Sequence, residues 1–137
     1  MSTSSRGIRN CNPLNIRRNS TQWQGLRKEQ TDSAFFQFIN MSYGYRAAIK
    51  TLVTYYNKYS LKTIRSIISR WAPPSENDTE NYINIVVDRT GFSPNMKIDI
   101  CDADAMIALV SAMSFVENGV EANNDEVHQG YLLAFAS

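Results

Sequence analysis

The sequence predicts a mainly α domain of the α+β class, with about five helices and one small β-hairpin near the N-terminus. Apolar residues recur at i, i+3, i+4 and i+7 in successive stretches from residue 42 onward. These stretches are punctuated by capping residues at their starts and by Pro, Gly or Asn-Gly at their ends. Only the first 40 residues carry short aromatic-rich runs suited to strands. At 137 residues, the chain reads as a single domain, 1–137, long enough to bury a substantial core.

Taken in order, residues 6–19 hold Gly7, Asn10, Asn12, Pro13, Asn15 and Asn19, the composition of irregular, turn-rich chain. Residues 22–28 and 34–40 read as the two strands, with the polar segment 29–33 closing the hairpin. Ser42 is the expected cap of a helix that turns Tyr45, Ala48, Ile49, Leu52, Val53 and Tyr56 inward. A second helix aligns Leu61, Ile64, Ile67, Ile68 and Trp71 and is stopped by Pro73-Pro74. Asn77, three residues before Glu80, suggests a capping box for a third helix bearing Tyr82, Ile85, Val86 and Arg89, closed by Gly91. Asp102 caps the fourth, with Met106, Leu109, Val110 and Met113 inward. Asn123 and Glu126 repeat the capping pattern for a last helix carrying Val127, Tyr131, Ala134 and Phe135.

Composition excludes several classes. A net charge of +1 argues against a protein built to grip nucleic acid. The basic residues are nonetheless uneven, with Arg6, Arg9, Arg17, Arg18, Arg27 and Lys28 all near the N-terminus. Such an arm suits an anionic polymer, although a solvated basic surface is the simpler reading. Cys11, Cys101 and the single His128 match no metal-ligand spacing, so neither metal nor cofactor is expected. Free thiols are the default state of the two cysteines, with one disulfide as the alternative. The start Met1-Ser-Thr-Ser-Ser-Arg6 lacks the apolar core of a signal peptide, and no run is long enough to span a membrane. The expectation is therefore synthesis in the cytoplasm without a leader and no stable membrane insertion.

No phosphate-binding loop, dinucleotide fingerprint, zinc motif or Ser/His/Asp arrangement is recognisable. Carboxylates, tyrosines and amides remain, which is the vocabulary of carbohydrate chemistry. The segment from Met106 to Gly119 is an apolar helix ending in a lone carboxylate, Glu117, just before an Asn-Gly stop. A carboxylate at the negative end of a helix dipole, among apolar neighbours, has its pKa raised. A Glu that keeps its proton near neutral pH can serve as a general acid in glycoside cleavage. The plain alternative is an exposed helix-end Glu with no task. Glu76, after Pro73-Pro74, is the rival acid, but solvation and a helix N-terminus would favour its ionised form.

The block Arg6-Gly-Ile-Arg-Asn-Cys-Asn-Pro-Leu-Asn-Ile-Arg17 is followed by Trp23, Gly25, Phe36, Phe38, Gly44-Tyr-Arg-Ala47 and Trp71-Ala-Pro-Pro74 with Tyr82. This pattern resembles a family of small proteins of bacterial viruses and Bacteroides-type genomes, labelled virion structural or endolysin-like, within the lysozyme-like superfamily. The resemblance is clear over residues 6–95. It departs at Cys11, where the family usually has Asn, and at Leu14, where it usually has Gly, which puts in doubt a turn needing positive φ there.

A second resemblance concerns mechanism. In flagellar-type glucosaminidases an apolar helix ending in the catalytic Glu precedes an Asn-Leu-Phe-Gly-Ile-Lys-like segment, a Phe-rich strand and another helix. Asn12-Pro-Leu-Asn-Ile-Arg17, Phe36-Gln-Phe38 and the helix after Ser42 are similar to that later series, yet no Glu-bearing helix precedes them. The resemblance thus implies a circular permutation in which residues 102–117 supply the acid, and it carries Asn12, Asn15 and Phe38 into the substrate site. Thr79-Glu-Asn-Tyr82 resembles the Thr-x-Asn-Tyr segment of soluble lytic transglycosylases, which implies that Tyr82 orients Glu117 or the sugar, with Thr79 beside it. By analogy with lysozyme, Asp32 and Glu29 at the hairpin tip are the candidate second carboxylates, with Glu76 as a further substrate contact. Trp23, Phe36, Tyr43 and Trp71 are available to stack on sugar rings.

The expected function is cleavage of the peptidoglycan glycan strand, of lysozyme, lytic transglycosylase or glucosaminidase type. It would act at the cell wall or periplasm or as part of a virion, with peptidoglycan and virion components as partners. The alternatives are a non-catalytic glycan- or partner-binding structural protein and, more remotely, a wall peptidase. If the permutation holds, Glu117 must lie in a cleft, facing Tyr82 and close to Asn12–Ile16.

Overall fold

A computed structural model describes residues 4–136. Met1–Thr3, part of the stretch read above for a leader, and Ser137 lie outside the described residues. The described residues fold as six helices: α1 (Arg6–Arg9), α2 (Met41–Tyr59), α3 (Ile64–Trp71), α4 (Thr79–Thr90), α5 (Ala103–Asn118) and α6 (Asn124–Phe135). The short α1 falls in the segment expected to be irregular. Its single turn is capped by Ser5, whose hydroxyl accepts from the Ile8 amide.

Local chemistry sets the helix boundaries. α2 begins before Ser42, because the Asn40 side chain accepts from the Tyr43 amide at 3.0 Å and so takes the cap. Asp78, not Asn77, caps α4 by accepting from the Asn81 amide. Asn77 instead turns its side chain back to the Pro73 carbonyl, and Glu80 pairs with Arg65. Thr63 and Ser66 form a reciprocal capping box at the start of α3. Asp102 and Asn123 cap α5 and α6 as expected, and Gly91 and Gly119 end α4 and α5 in the left-handed conformation.

One continuous core joins α2–α6, with Tyr45, Ile49, Leu52, Ile64, Ile68, Ile83, Met106, Leu109 and Met113 among its most enclosed side chains. The inward faces read from periodicity hold for Tyr45, Ala48, Ile49 and Leu52 of α2, and for Met106, Leu109, Val110 and Met113 of α5. Phe135 departs from its expected place and is exposed, stacked on Tyr131 at the end of α6. α2 and α6 approach closely at Gly130, where a Cβ would meet the Tyr45 side chain at 2.6 Å.

The expected hairpin is replaced by isolated bridges. Leu26 pairs antiparallel with Phe38, closed by Arg27 N–H to the Gln37 carbonyl and Ile39 N–H to the Gly25 carbonyl. Two further amides of residues 34–39 face a different partner, Phe36 donating to the Ile16 carbonyl and Phe38 to the Asn10 carbonyl, while Gln37 donates to the Gln30 side chain. Residues 34–39 are therefore shared between two neighbours, and neither pairing extends into a ladder. Phe36, Phe38 and Ala47 form a small second core under this lobe.

Asp32 is the knot of the lobe. Its carboxylate accepts two bonds from Arg6, one from Asn10, and the amides of Ala34 and Phe35. The Arg6 guanidinium foremost, then Asn10 and the Ala34 amide, hold it well below the usual carboxylate range, against the opposing effect of desolvation. A depressed folded-state pKa gives stability that is present above the unfolded value, about 3.9, and lost as pH falls toward the folded one. The melting temperature of the wild type should therefore drop more steeply below about pH 4 than that of Asp32→Asn. Parallel acid titrations of the two proteins check this.

Candidate active site

Glu117 sits in the last turn of α5, and the N-terminal loop folds back over it. Asn15 Nδ2 donates to Glu117 Oε1 at 2.8 Å, across a sequence separation of 102 residues. Tyr82 Oη, from α4, donates to Glu117 Oε2 at 3.0 Å. The next residue, Asn118, fastens the same loop: its Nδ2 donates to the Pro13 carbonyl at 2.8 Å, while its Oδ1 accepts from the Ser5 hydroxyl at 2.6 Å. Buried Tyr45 and Ser114 share a 2.9 Å hydrogen bond that ties α2 to α5 one turn earlier.

The loop keeps its shape through two residues with positive φ, Cys11 at 50° and Asn15 at 53°. Cys11 stands where the resembling family usually has Asn, a residue that tolerates this conformation readily. Leu14 has no positive φ and is buried in the core. The Asn12 side chain staples the loop, donating to the Ile16 and Phe36 carbonyls and accepting from the Ile16 amide, each at 2.9 Å. Gly44 of α2 lets the loop approach: a Cβ there would overlap the Cys11 carbonyl oxygen and lie 2.6 Å from Pro13 Cδ.

Burial pushes the Glu117 carboxyl above its ordinary value, and the bonds from Asn15 and Tyr82 pull it partly back. The direction agrees with the expectation from sequence, but the dominant cause is desolvation under the folded-back loop. Burial first, then the neighbouring Glu117 charge, hold the Tyr82 hydroxyl well above its ordinary value. It therefore remains a protonated donor to the carboxylate.

This group opens into a cleft of about 230 Å³ lined by Asn15, Arg17, Phe35, Trp71, Glu76 and Glu117, among others. Glu117, Tyr82 and Asn15 are thus brought together, and Glu76 lies on the cleft wall. Four other residues expected at a substrate site are elsewhere. Asn12 and Phe38 are fully buried at 0 % exposure, as staple and core. Asp32 is consumed by Arg6 and Asn10, and the buried Thr79 hydroxyl donates to the Ala72 carbonyl at the start of α4. Each of these polar groups satisfies backbone or charge within the fold, which sequence spacing alone did not reveal. Of the four aromatics considered, only Trp71 lines the cleft; Phe36 is in the small core, Trp23 lines a separate groove, and Tyr43 packs over Gly25.

No family model matches the chain. It is 42 % identical over 134 residues to Protein P5 of Pseudoalteromonas phage PM2, covering 95 % of this chain and 82 % of that protein. The chain belongs to the P5 family. The association of this P5-family chain with bacteriophage follows from that relationship. Among its described residues, no helix is long and apolar enough to cross a membrane, and no group of three or more His, Cys, Asp or Glu side chains gathers at metal-binding distance. Cys11 and Cys101 are free thiols, the first half-buried and the second exposed.

Sequence reading missed two contributors to this cleft, Asn118 and Arg17. Asn118 was visible only as part of a helix stop, yet it holds the loop over its neighbour. A larger hollow of about 430 Å³ between α4, α5 and α6 holds Asp104, Ser111 and His128. Among the described residues no hydrogen bond joins these three, and both Asp104 and His128 are exposed.

Proposed function

We propose that this chain cleaves the β-1,4-linked glycan of bacterial peptidoglycan, with Glu117 as general acid and base. The observation that carries the reading is a half-buried carboxyl of raised pKa, held by Asn15 and Tyr82 and facing an open cleft. Glu117 donates its proton to the bridging oxygen as the C1–O bond breaks, and positive charge develops on the sugar ring. Asp32 is locked away and Glu29 is not among the residues lining the cleft, so the role of second carboxylate is left to Glu76 or to none. Without one, the muramic acid 6-hydroxyl closes on C1 and returns its proton to Glu117, leaving a 1,6-anhydro end. With water in its place, the product has a reducing end.

The near approach of α5 to the Asn12–Ile16 segment supports a circularly permuted lysozyme-like domain, with the acid-bearing helix supplied late in the chain instead of early. Mass spectrometry of purified peptidoglycan digested with the protein tests the function. Soluble disaccharide-peptides with anhydro or reducing ends are expected. Failure to release any would leave the rival reading, a virion component that binds glycan or partners without turnover.

The two hydrogen bonds to Glu117 give a further test. Each lowers its pKa, so removing either raises it. Activity that needs the protonated acid falls as pH rises through this value. In Asn15→Ala and Tyr82→Phe the alkaline limb of the pH–rate profile should therefore move to higher pH. A limb that stays in place in both variants would show that Glu117 is not the titrating acid.

A further inference from the structure

Arg17 differs from its neighbours in the basic N-terminal lobe. Residues 4–40 carry six Arg and Lys against two carboxylates, one of which, Asp32, is taken up by Arg6. Most of the other arginines are tied to backbone: Arg9 to the Ser4 carbonyl, Arg18 to the Asp32 carbonyl, and Arg27 to the carbonyls of Phe38 and Arg9. Among the described residues, the Arg17 guanidinium makes no hydrogen bond. It lies 5.6 Å from the Phe35 ring centroid, lines the Glu117 cleft, and meets Glu76 across it at a loose 3.7 Å. Both side chains of that pair are exposed, at 71 % and 62 %, and an exposed pair at this distance holds little energy.

A guanidinium with its donors unspent, braced on an aromatic ring at a cleft mouth, is suited to bidentate capture of a carboxylate. The neutral part of a glycan offers it nothing of comparable strength. We propose that Arg17 is the specificity-determining residue of this cleft and binds a carboxylate carried by the glycan, displacing Glu76 as it does so. The inference rests on the glycan-cleaving reading of the same site and names its substrate class as an anionic glycan. The carboxylate has two sources in peptidoglycan: the lactyl ether of muramic acid once its peptide is removed, or the peptide stem itself.

Binding to the Glu117→Gln protein, which needs no turnover, separates the possibilities. The ligands are an uncharged N-acetylglucosamine hexamer, glycan strands stripped of stems, and strands with stems intact. At least one carboxylated strand should bind about tenfold more tightly than the hexamer, the scale of one charge-assisted hydrogen bond. Preference for stripped strands assigns the lactyl carboxylate, and preference for intact strands assigns the stem. Adding Arg17→Gln should abolish the preference, read as the ratio of strand to hexamer affinity, and Arg17→Lys should restore only part of it. Adding Glu76→Gln should strengthen carboxylated-strand binding by about two- to fivefold, because the competitor is gone. That gain should vanish in the Arg17→Gln background, whereas simple relief of charge repulsion would leave it. Equal binding of all three ligands, or a preference that survives Arg17→Gln, overturns the inference. Wall cleavage by the wild type is scored separately, so lysis without an Arg17-dependent preference sinks this inference alone.

Discussion

Glu117→Gln is expected to slow glycan cleavage by about 10²–10⁴-fold, the usual contribution of a positioned general acid, while the fold stays intact. The substitution suits the site. A Gln carbonyl oxygen can accept from Asn15 Nδ2 where Oε1 now does, and its amide can donate to Tyr82 Oη in place of the present bond. The proton on offer is lost and the packing is kept. The variant should also melt at the same or a higher temperature near neutral pH. Burial raises the folded-state pKa of Glu117, so its favourable contribution is complete below the unfolded value, about 4.3, and is lost as pH rises through the folded one. The stability difference between the two proteins should therefore shrink in acid. Lysis assays and thermal melts at two pH values decide it, and equal lysis by both proteins would remove Glu117 from the mechanism.

Gly44→Ala should be the most damaging methyl addition near the site. The new Cβ would overlap the Cys11 carbonyl and press on Pro13, both parts of a loop already fixed by the Asn12 staple and by positive φ at Cys11 and Asn15. Overpacking against backbone costs about 3 kcal/mol at the upper end of its usual range, or a fall in melting temperature of about 10 °C for a domain of this size. Relief requires the loop to lift, which withdraws Asn15 from Glu117. Activity should therefore fall even at temperatures where the variant remains folded. Gly119→Ala is the control: its Cβ meets nothing within 4 Å and only the φ of +73° is strained, so the cost should stay near ~1 kcal/mol. Comparable melting temperatures for the two variants would contradict the close-approach account.

The helices were legible in the sequence because period and caps coincide. Asp102 and Asn123 cap where expected, and Met106, Leu109, Val110 and Met113 are buried as their spacing requires. The lobe was less legible. Residues 34–39 were read as a strand, but their amides are divided among the carbonyls of Asn10 and Ile16, that of Gly25, and the side chains of Asp32 and Gln30, so pairing stays at single bridges. Within the site, Glu117 and Tyr82 could be found because a carboxylate ending an apolar helix and a Thr-x-Asn-Tyr segment are unusual locally. Asp32, Asn12 and Thr79 are equally polar on paper. Their partners are backbone groups and an arginine brought in by the fold, and no spacing rule distinguishes such duties from ligand binding.

The bond between Asn15 and Glu117 also has a consequence in time. A ribosome delivers residues 4–40 before α5, with α2, α3 and α4 made in between. The half-site made early has loop, lobe and arginines but no acid, and no fragment ending before Glu117 acquires one. On the proposed reading, catalytic competence arrives only once α5 has been made. Abandoned or prematurely terminated chains would then be harmless to the wall of the cell that makes them.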